Sequence, residues 1–175
     1  MHAMIDIETM GIKRNCVVLT IGASLFDPLG IGPLYDFYTR VDIDQQINMG
    51  RTVDTSTVDW WNKQDKSVFN EAFDPTERVS VEHAIQQLSD FLADADAVWS
   101  QGPTFDMIIL EDLYAQISKK VPWRYSKVRD SRTLFAAMGD PRAGRVDAHN
   151  ALADCHYQIM GVQLCYKSIR DAKSR

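Results

Sequence analysis

The chain has 175 residues, a net charge of −5 at pH 7, 45% hydrophobic and 25% charged residues. That is the length and balance of one ordinary globular domain spanning 1–175, with enough apolar material to bury a core without staples. The acidic balance excludes a protein that coats long duplex DNA through many basic contacts, though not an enzyme gripping a few nucleotides. No apolar run approaches the ~20 residues that cross a bilayer, so no membrane partner is expected. Met1-His2-Ala3-Met4 has no basic leader pattern, and Cys16, Cys155 and Cys165 form no C-x-x-C pair. Both fit a cytoplasmic protein whose cysteines are small buried hydrophobes.

Taken in chain order, Met4-Ile5-Asp6-Ile7 predicts a strand, and Cys16 to Phe26 (CVVLTIGASLF) a strand buried on both faces. Asp27-Pro28-Leu29-Gly30 is a turn, and Leu34 to Val41 alternates as a third strand with one wetter face. These three close neighbours predict an antiparallel meander. A polar stretch holding Thr57-Val58-Asp59-Trp60-Trp61 follows and carries no clear period. Ser80 caps a helix to Leu92, with Ala84, Leu88, Phe91 and Leu92 on one face. Ala95 to Trp99 is a strand ending at Ser100-Gln101-Gly102-Pro103, and Phe105 to Ile117 a helix. Val128 to Ser131 is a short strand leading to a helix through Met138. After breaks at Gly139-Asp140-Pro141 and Gly144, a long helix runs from Asp147, its expected N-cap, to Ile169. The order predicts an α/β fold: a mixed sheet flanked by helices, with its ligand site where strands end and helices begin.

Charge is uneven. Lys119 to Arg145 holds eight basic and two acidic residues, a segment of +6 in a chain of −5. It reads equally as a solvated face or as a phosphate track.

Asp6 and Glu8 are two apart on the first strand and so share a face. Two carboxylates side by side in an apolar strand need a raised pKa or a cation between them. Asp106 opens a helix, where a negative charge suits the macrodipole whatever else it does. His149 and Asp154 are five apart at the start of the last helix, ~140° around it if both are helical. His149 could equally be a first-turn surface histidine. Singly, each signal is weak.

Together they resemble the DEDD superfamily of 3′→5′ exonucleases, through MIDIETMG (4–11), WSQGPTFD (99–106) and HNALAD (149–154). Position 150 is Asn rather than the Tyr of one branch, and His149 stands where the other branch, DEDDh, has its histidine. TVDWW (57–61) with Gln64 is similar to small phage and prophage exonucleases of the DexA and exodeoxyribonuclease VIII types and to related bacterial exoribonucleases. Gln101 stands where such relatives often carry Asn.

The resemblance implies a ribonuclease H-like sheet, antiparallel in its first three strands and then parallel. It implies a hydrolase that releases nucleoside 5′-monophosphates from the 3′ end of single-stranded DNA or RNA. Two Mg²⁺, with Mn²⁺ as a substitute, would be held by Asp6, Glu8, Asp106 and Asp154: Asp6 between the ions, Glu8 and Asp154 on the first, Asp106 completing the second through water. His149 would accept the proton of the attacking water. Thr9 and Met10 would cradle the terminal nucleotide. Phe105 either wedges against the last base or is a core aromatic. Of Trp60 and Trp61, one stacks on a base while the other packs, unless both are core; Trp61 is the expected substrate contact. A homodimer is a further implication. The alternatives are a non-catalytic nucleic-acid-binding module on the same fold and a ribonuclease H-like endonuclease.

Overall fold

The computed structural model describes residues 1–142 and 149–174. Six strands form one sheet in the order β4-β3-β2-β1-β5-β6. β1 (His2–Thr9), β2 (Val18–Phe26) and β3 (Tyr35–Val41) are the expected antiparallel meander. β5 (Ala97–Ser100) joins β1 in parallel and β6 (Val128–Asp130) joins β5 in parallel. All nine residues of β2 are buried, as a strand covered on both faces requires. It starts at Val18 rather than Cys16, which instead makes an isolated bridge to Thr52.

The period of two along β1 divides the molecule. Ala3, Ile5 and Ile7 face a core shared with α4 (Val81–Phe91) and α5 (Asp106–Gln116). Met4 faces the opposite core, built with Trp99, Phe135 of α6 (Ser131–Met138) and Cys155, Ile159 and Val162 of α7 (Ala151–Lys173). Asp6 and Glu8 continue Met4's face and therefore point toward α7.

α7 begins later than the sequence pattern suggests. Its N-cap is Asn150, whose side chain accepts from the Ala153 N–H at 3.0 Å. Asp147, expected in that role, lies outside the described residues, as do Gly144 and Arg145. Asn150 suits the position because its short amide oxygen reaches an orphan N–H of the first turn. α7 lies close on the sheet because position 22 is glycine. A Cβ there would stand 2.4 Å from the Ala151 carbonyl carbon and 2.5 Å from the Leu152 nitrogen. Gly22 pairs with Asp6 across β1 and β2, so the same close approach brings the first turn of α7 beside Asp6.

The polar stretch after β3 is not a loop. It folds as α1 (Ile43–Asn48), α2 (Thr55–Trp61), α3 (Lys66–Phe73) and the short β4 (Arg78–Val79), which pairs with β3 in parallel. Helices of six to eight residues show little periodicity, and long-range polar bonds anchor them. The fully buried Gln46 amide accepts from Val18 N–H and donates to Val18 C=O, both at 2.8 Å. Arg51 is 4% exposed, donates to the Cys16 carbonyl and pairs with Asp112 at 3.1 Å. The three cysteines are free and buried, as expected. Among the described residues no helix is long and apolar enough to cross a membrane.

Candidate active site

A cleft of about 230 Å³ opens where β1 and β5 end, and Asp6, Glu8, Asp106, His149 and Asp154 all line it. Carboxylate oxygens of Asp6, Glu8 and Asp154 lie within 4.8 Å of one another. Asp106 stands apart from this trio. It is 4% exposed at the first position of α5, and its Oδ1 accepts from the Ile7 N–H at 3.3 Å. That bond ties it to the β1 residue that lies between Asp6 and Glu8.

The electrostatics of the cluster are unfavourable without a counter-charge. Burial, followed by the charges of Asp106, Glu8 and Asp154, pushes the Asp6 carboxyl well above its usual range. Burial and then Asp154 and Asp106 raise Glu8 to about 8. Burial raises Asp106 to about 7, against hydrogen bonds from backbone N–H groups and the Arg132 charge. Such crowded carboxyls are costly unless something positive offsets them. All are hard oxygen donors, the set Mg²⁺ and Mn²⁺ favour. The donor set therefore fits divalent cations.

Gln158 belongs to the site but was not among the residues the sequence singled out. It lies one turn after Asp154 on α7, and its Nε2 donates to Asp6 Oδ1 at 2.9 Å. Its Oε1 is buried without a partner among the described residues. The i, i+4 spacing from Asp154 was the available signal, since those positions share a helix face.

His149 is not helical. It precedes the N-cap with φ 39°, a left-handed conformation that histidine adopts more readily than most residues. The ~140° separation expected from a shared helix does not apply. The ring instead sits edge-on to Trp60, 4.8 Å between centroids, and 6.5 Å from Trp61. Trp61, the expected substrate contact, is 1% exposed, with its indole N–H donating to the Thr9 carbonyl at 2.9 Å, and it lines an apolar cleft beside the acids together with Trp60. Adjacent residues on a helix point ~100° apart, so Trp60 is left 40% exposed.

A second, largely apolar cleft of about 290 Å³ adjoins the first and shares Ile7, Glu8 and Phe105 with it. Thr9 and Trp60 line its wall. Thr9 is itself 6% exposed, its hydroxyl donating to Gly11 C=O at 2.7 Å. Met10 packs against the small cluster of Leu19, Trp61 and Ala72. Phe105 packs on the main core and lines both clefts. Gly102, at φ 112°, turns the chain between β5 and Asp106, a backbone conformation open to glycine. The Gln101 side chain accepts from Arg142, and its carbonyl accepts from Arg132 at 3.0 Å.

Residues 1–166 match the family model of the Rv2179c-like 3′-5′ exoribonuclease domain. The chain belongs to this family. It is a 3′-5′ exonuclease. It is 25% identical to an exodeoxyribonuclease of Enterobacteria phage T4, over 90% of this chain and 85% of that protein. Among solved structures, the exonuclease is similar to exonuclease X in complex with 5′ overhanging duplex DNA. That likeness has a TM-score of 0.59 at 12% identity and covers 96% of this chain and 92% of the other. The nuclease domain of 3′hExo, a DEDDh family member bound to rAMP, has a TM-score of 0.54 at 10% identity, covering 98% and 91%. Product-bound exonuclease I has a TM-score of 0.60 at 8% identity, covering 97% of this chain and 43% of that one. At these identities the structural likenesses show the fold, the ribonuclease H-like sheet of exonucleases.

Proposed function

We propose that this exonuclease removes nucleotides one at a time from the 3′ end of single-stranded RNA or DNA, releasing nucleoside 5′-monophosphates. The observation that carries the reading is the trio of carboxylates within 4.8 Å in a cleft that His149 and Asp106 also line. By the resemblance, Asp6 would hold both of two divalent cations, with Glu8 and Asp154 on the first and Asp106 on the second. Mg²⁺ is the expected pair, with Mn²⁺ as a substitute. Bound cations supply charge neutralisation at the phosphate and an activated water.

The protein's own groups do the rest. His149 accepts the proton of the attacking water, held in place by the Trp60 ring edge. Gln158 holds Asp6 in its orientation through the 2.9 Å bond. The apolar cleft beside Glu8 takes the terminal base between Phe105 and Trp60, with Thr9 and Trp61 in its lining and Met10 packed against the Trp61 cluster. The location we infer is cytoplasmic, and the assembly we infer is a homodimer, which light scattering would show as twice the chain mass.

The decisive experiment digests 3′- and 5′-labelled DNA and RNA oligomers in Mg²⁺, Mn²⁺ or EDTA. A 5′-labelled strand shortening in single-nucleotide steps, abolished by EDTA, is the expected result. It also reads the sugar preference, which depends on contacts to the 2′-OH. Tight binding with no shortening would favour a non-catalytic module. Cutting of a circular single strand would favour an endonuclease.

A further inference from the structure

We propose that the β6 edge of the molecule is a second, non-catalytic binding surface, holding the single strand several nucleotides 5′ of the bond being cut. The inference rests on the exonuclease reading for where the strand leads, but its binding arm stands apart from catalysis.

Lys119, Lys120, Arg124, Lys127, Arg129 and Arg132 are all exposed. None of the six makes an ion pair among the described residues. Four arginines elsewhere, Arg14, Arg40, Arg51 and Arg142, each pair with a carboxylate within 3.1 Å. Isolated lysines such as Lys63 and Lys66 are unpaired too among the described residues, but no other stretch of the chain gathers so many cations with one acid. The one acid within 119–132, Asp130, is spent capping α6, accepting from Arg132 N–H and the Thr133 hydroxyl. Arg132 also acts on Asp106 and donates to the Gln101 carbonyl, and Arg129 donates to the Ser126 and Val128 carbonyls, but among the described residues no carboxylate is paired with any of the six.

Their layout points to a strand rather than to a point ligand. β6 runs parallel to β5 and β1, so its C-terminal end faces the cleft, and Arg132 lines that cleft. Arg129 and Lys127 lie behind it along the edge. Lys119, Lys120 and Arg124 are at the far end, around a cavity of about 600 Å³ that also has Trp123 and Tyr125 in its wall. Tyr125 is 91% exposed, an aromatic face offered to solvent amid cations. Basic groups that track a backbone, with an aromatic on which a base can stack, are what a single strand needs. Charge on an edge strand also blocks unwanted strand pairing. β6 is only three residues long, however, and that role does not call for Lys119, Lys120, Arg124 or an exposed Tyr125. The far end and the acids are separated by about the length of α5, 11 residues or ~16 Å. A stacked strand at ~3.4 Å per nucleotide crosses that in about five nucleotides.

The test compares the wild type with a Lys119→Gln/Lys120→Gln/Arg124→Gln triple variant and with Tyr125→Ala. Binding of a fluorescent twelve-nucleotide single strand is read by anisotropy in EDTA, where no cleavage occurs, across a salt series. The triple variant is expected to weaken binding roughly tenfold and to flatten the log–log salt slope by about 2, from three lost contacts at ~0.7 each. Tyr125→Ala is expected to weaken it at least about fivefold, the low end for one stacked base. In Mn²⁺, KM for the twelve-mer should rise while its kcat, and both constants for a trinucleotide, stay within twofold of wild type. Unchanged affinity and salt slope in the triple variant would overturn the proposal. So would equal losses on trinucleotide and twelve-mer. Unchanged affinity in Tyr125→Ala alone would remove the stacking half. Failure of the wild type to shorten any strand would count against the exonuclease reading, leaving the EDTA result to judge the edge.

Discussion

The cleft and the β6 edge use charge in opposite ways. In the cleft, like charges are packed together on groups that are half-buried or, for Asp106, buried, and Asp6, Glu8 and Asp106 are pushed toward their protonated forms. Along the edge, like charges are spread over the surface, where solvent and salt screen them. A crowded, buried cluster is costly by itself and selects a concentrated counter-charge such as a divalent cation. A dispersed, exposed row costs little and suits a repeating anion such as a strand of phosphates. Chemistry therefore belongs to the first region and grip to the second.

The largest expected break in that comparison comes from neutralising one acid. Asp154→Asn or Asp6→Asn should lower kcat by roughly 10³-fold or more, since several kcal/mol of transition-state stabilisation pass through the cations. Strand binding in EDTA should be kept or improved. Full activity in either variant, measured as mononucleotide release, would sink the metal-site reading. Next is Gly22→Val. Its side chain meets the Ala151 and Leu152 backbone, so α7 must lift, at about 3 kcal/mol or more of stability. Urea unfolding should show that loss, and release of mononucleotides should fall with it, while the trend of edge binding with salt stays that of the wild type.

A smaller effect should follow Gln158→Leu, which removes the bond to Asp6 and leaves the fold's packing volume nearly intact. Loss of a group that orients a ligand typically lowers metal affinity 10–100-fold, so the Mn²⁺ concentration for half-maximal activity should rise by that factor with thermal stability little changed. The smallest and most diagnostic effect is in pH. Glu8 is raised from 4.5 to about 8 and Asp106 from 3.8 to about 7. For an acid whose folded pKa exceeds its unfolded one, the folded state binds more protons between the two values, so stability falls as pH rises through them. Metal-free protein should therefore melt at progressively lower temperature from about pH 4 to about pH 8. A cation takes the proton's place, so the gain in melting temperature on adding Mn²⁺ should grow over the same window. A gain that is flat with pH would show that the acids do not hold the metal.

Much of the cleft was legible along the chain. The alternation of β1 put Asp6 and Glu8 on one face, and the Gly-Pro turn after Trp99 placed Asp106 at a helix start. The H-N-A-L-A-D string put Asp154 at the start of the last helix. These are local features, governed by the periods of strand and helix. The segment 43–79 was not legible, because its short helices are held by Gln46, Arg51 and Arg78 reaching the carbonyls of residues 16 to 41. Polar bonds between distant residues leave no periodic trace. Trp60 and Trp61 illustrate the difference. Their presence was plain, but which ring is buried depends on the turn of a helix whose existence the pattern did not reveal.

What the sequence by itself determined, then, is which elements carry Asp6, Glu8, Asp106 and Asp154. Only the tertiary structure decided that Asp6, Glu8 and Asp154 converge within 4.8 Å while Asp106 is tied to the Ile7 N–H in the same cleft. It also decided that Gln158 joins them and that the basic residues line up along β6 into the cleft. The physical reason is the same in each case. Side-chain direction follows from local backbone period, but distance across the sheet follows from packing, here from the missing side chain at Gly22 that lets α7 descend onto β2.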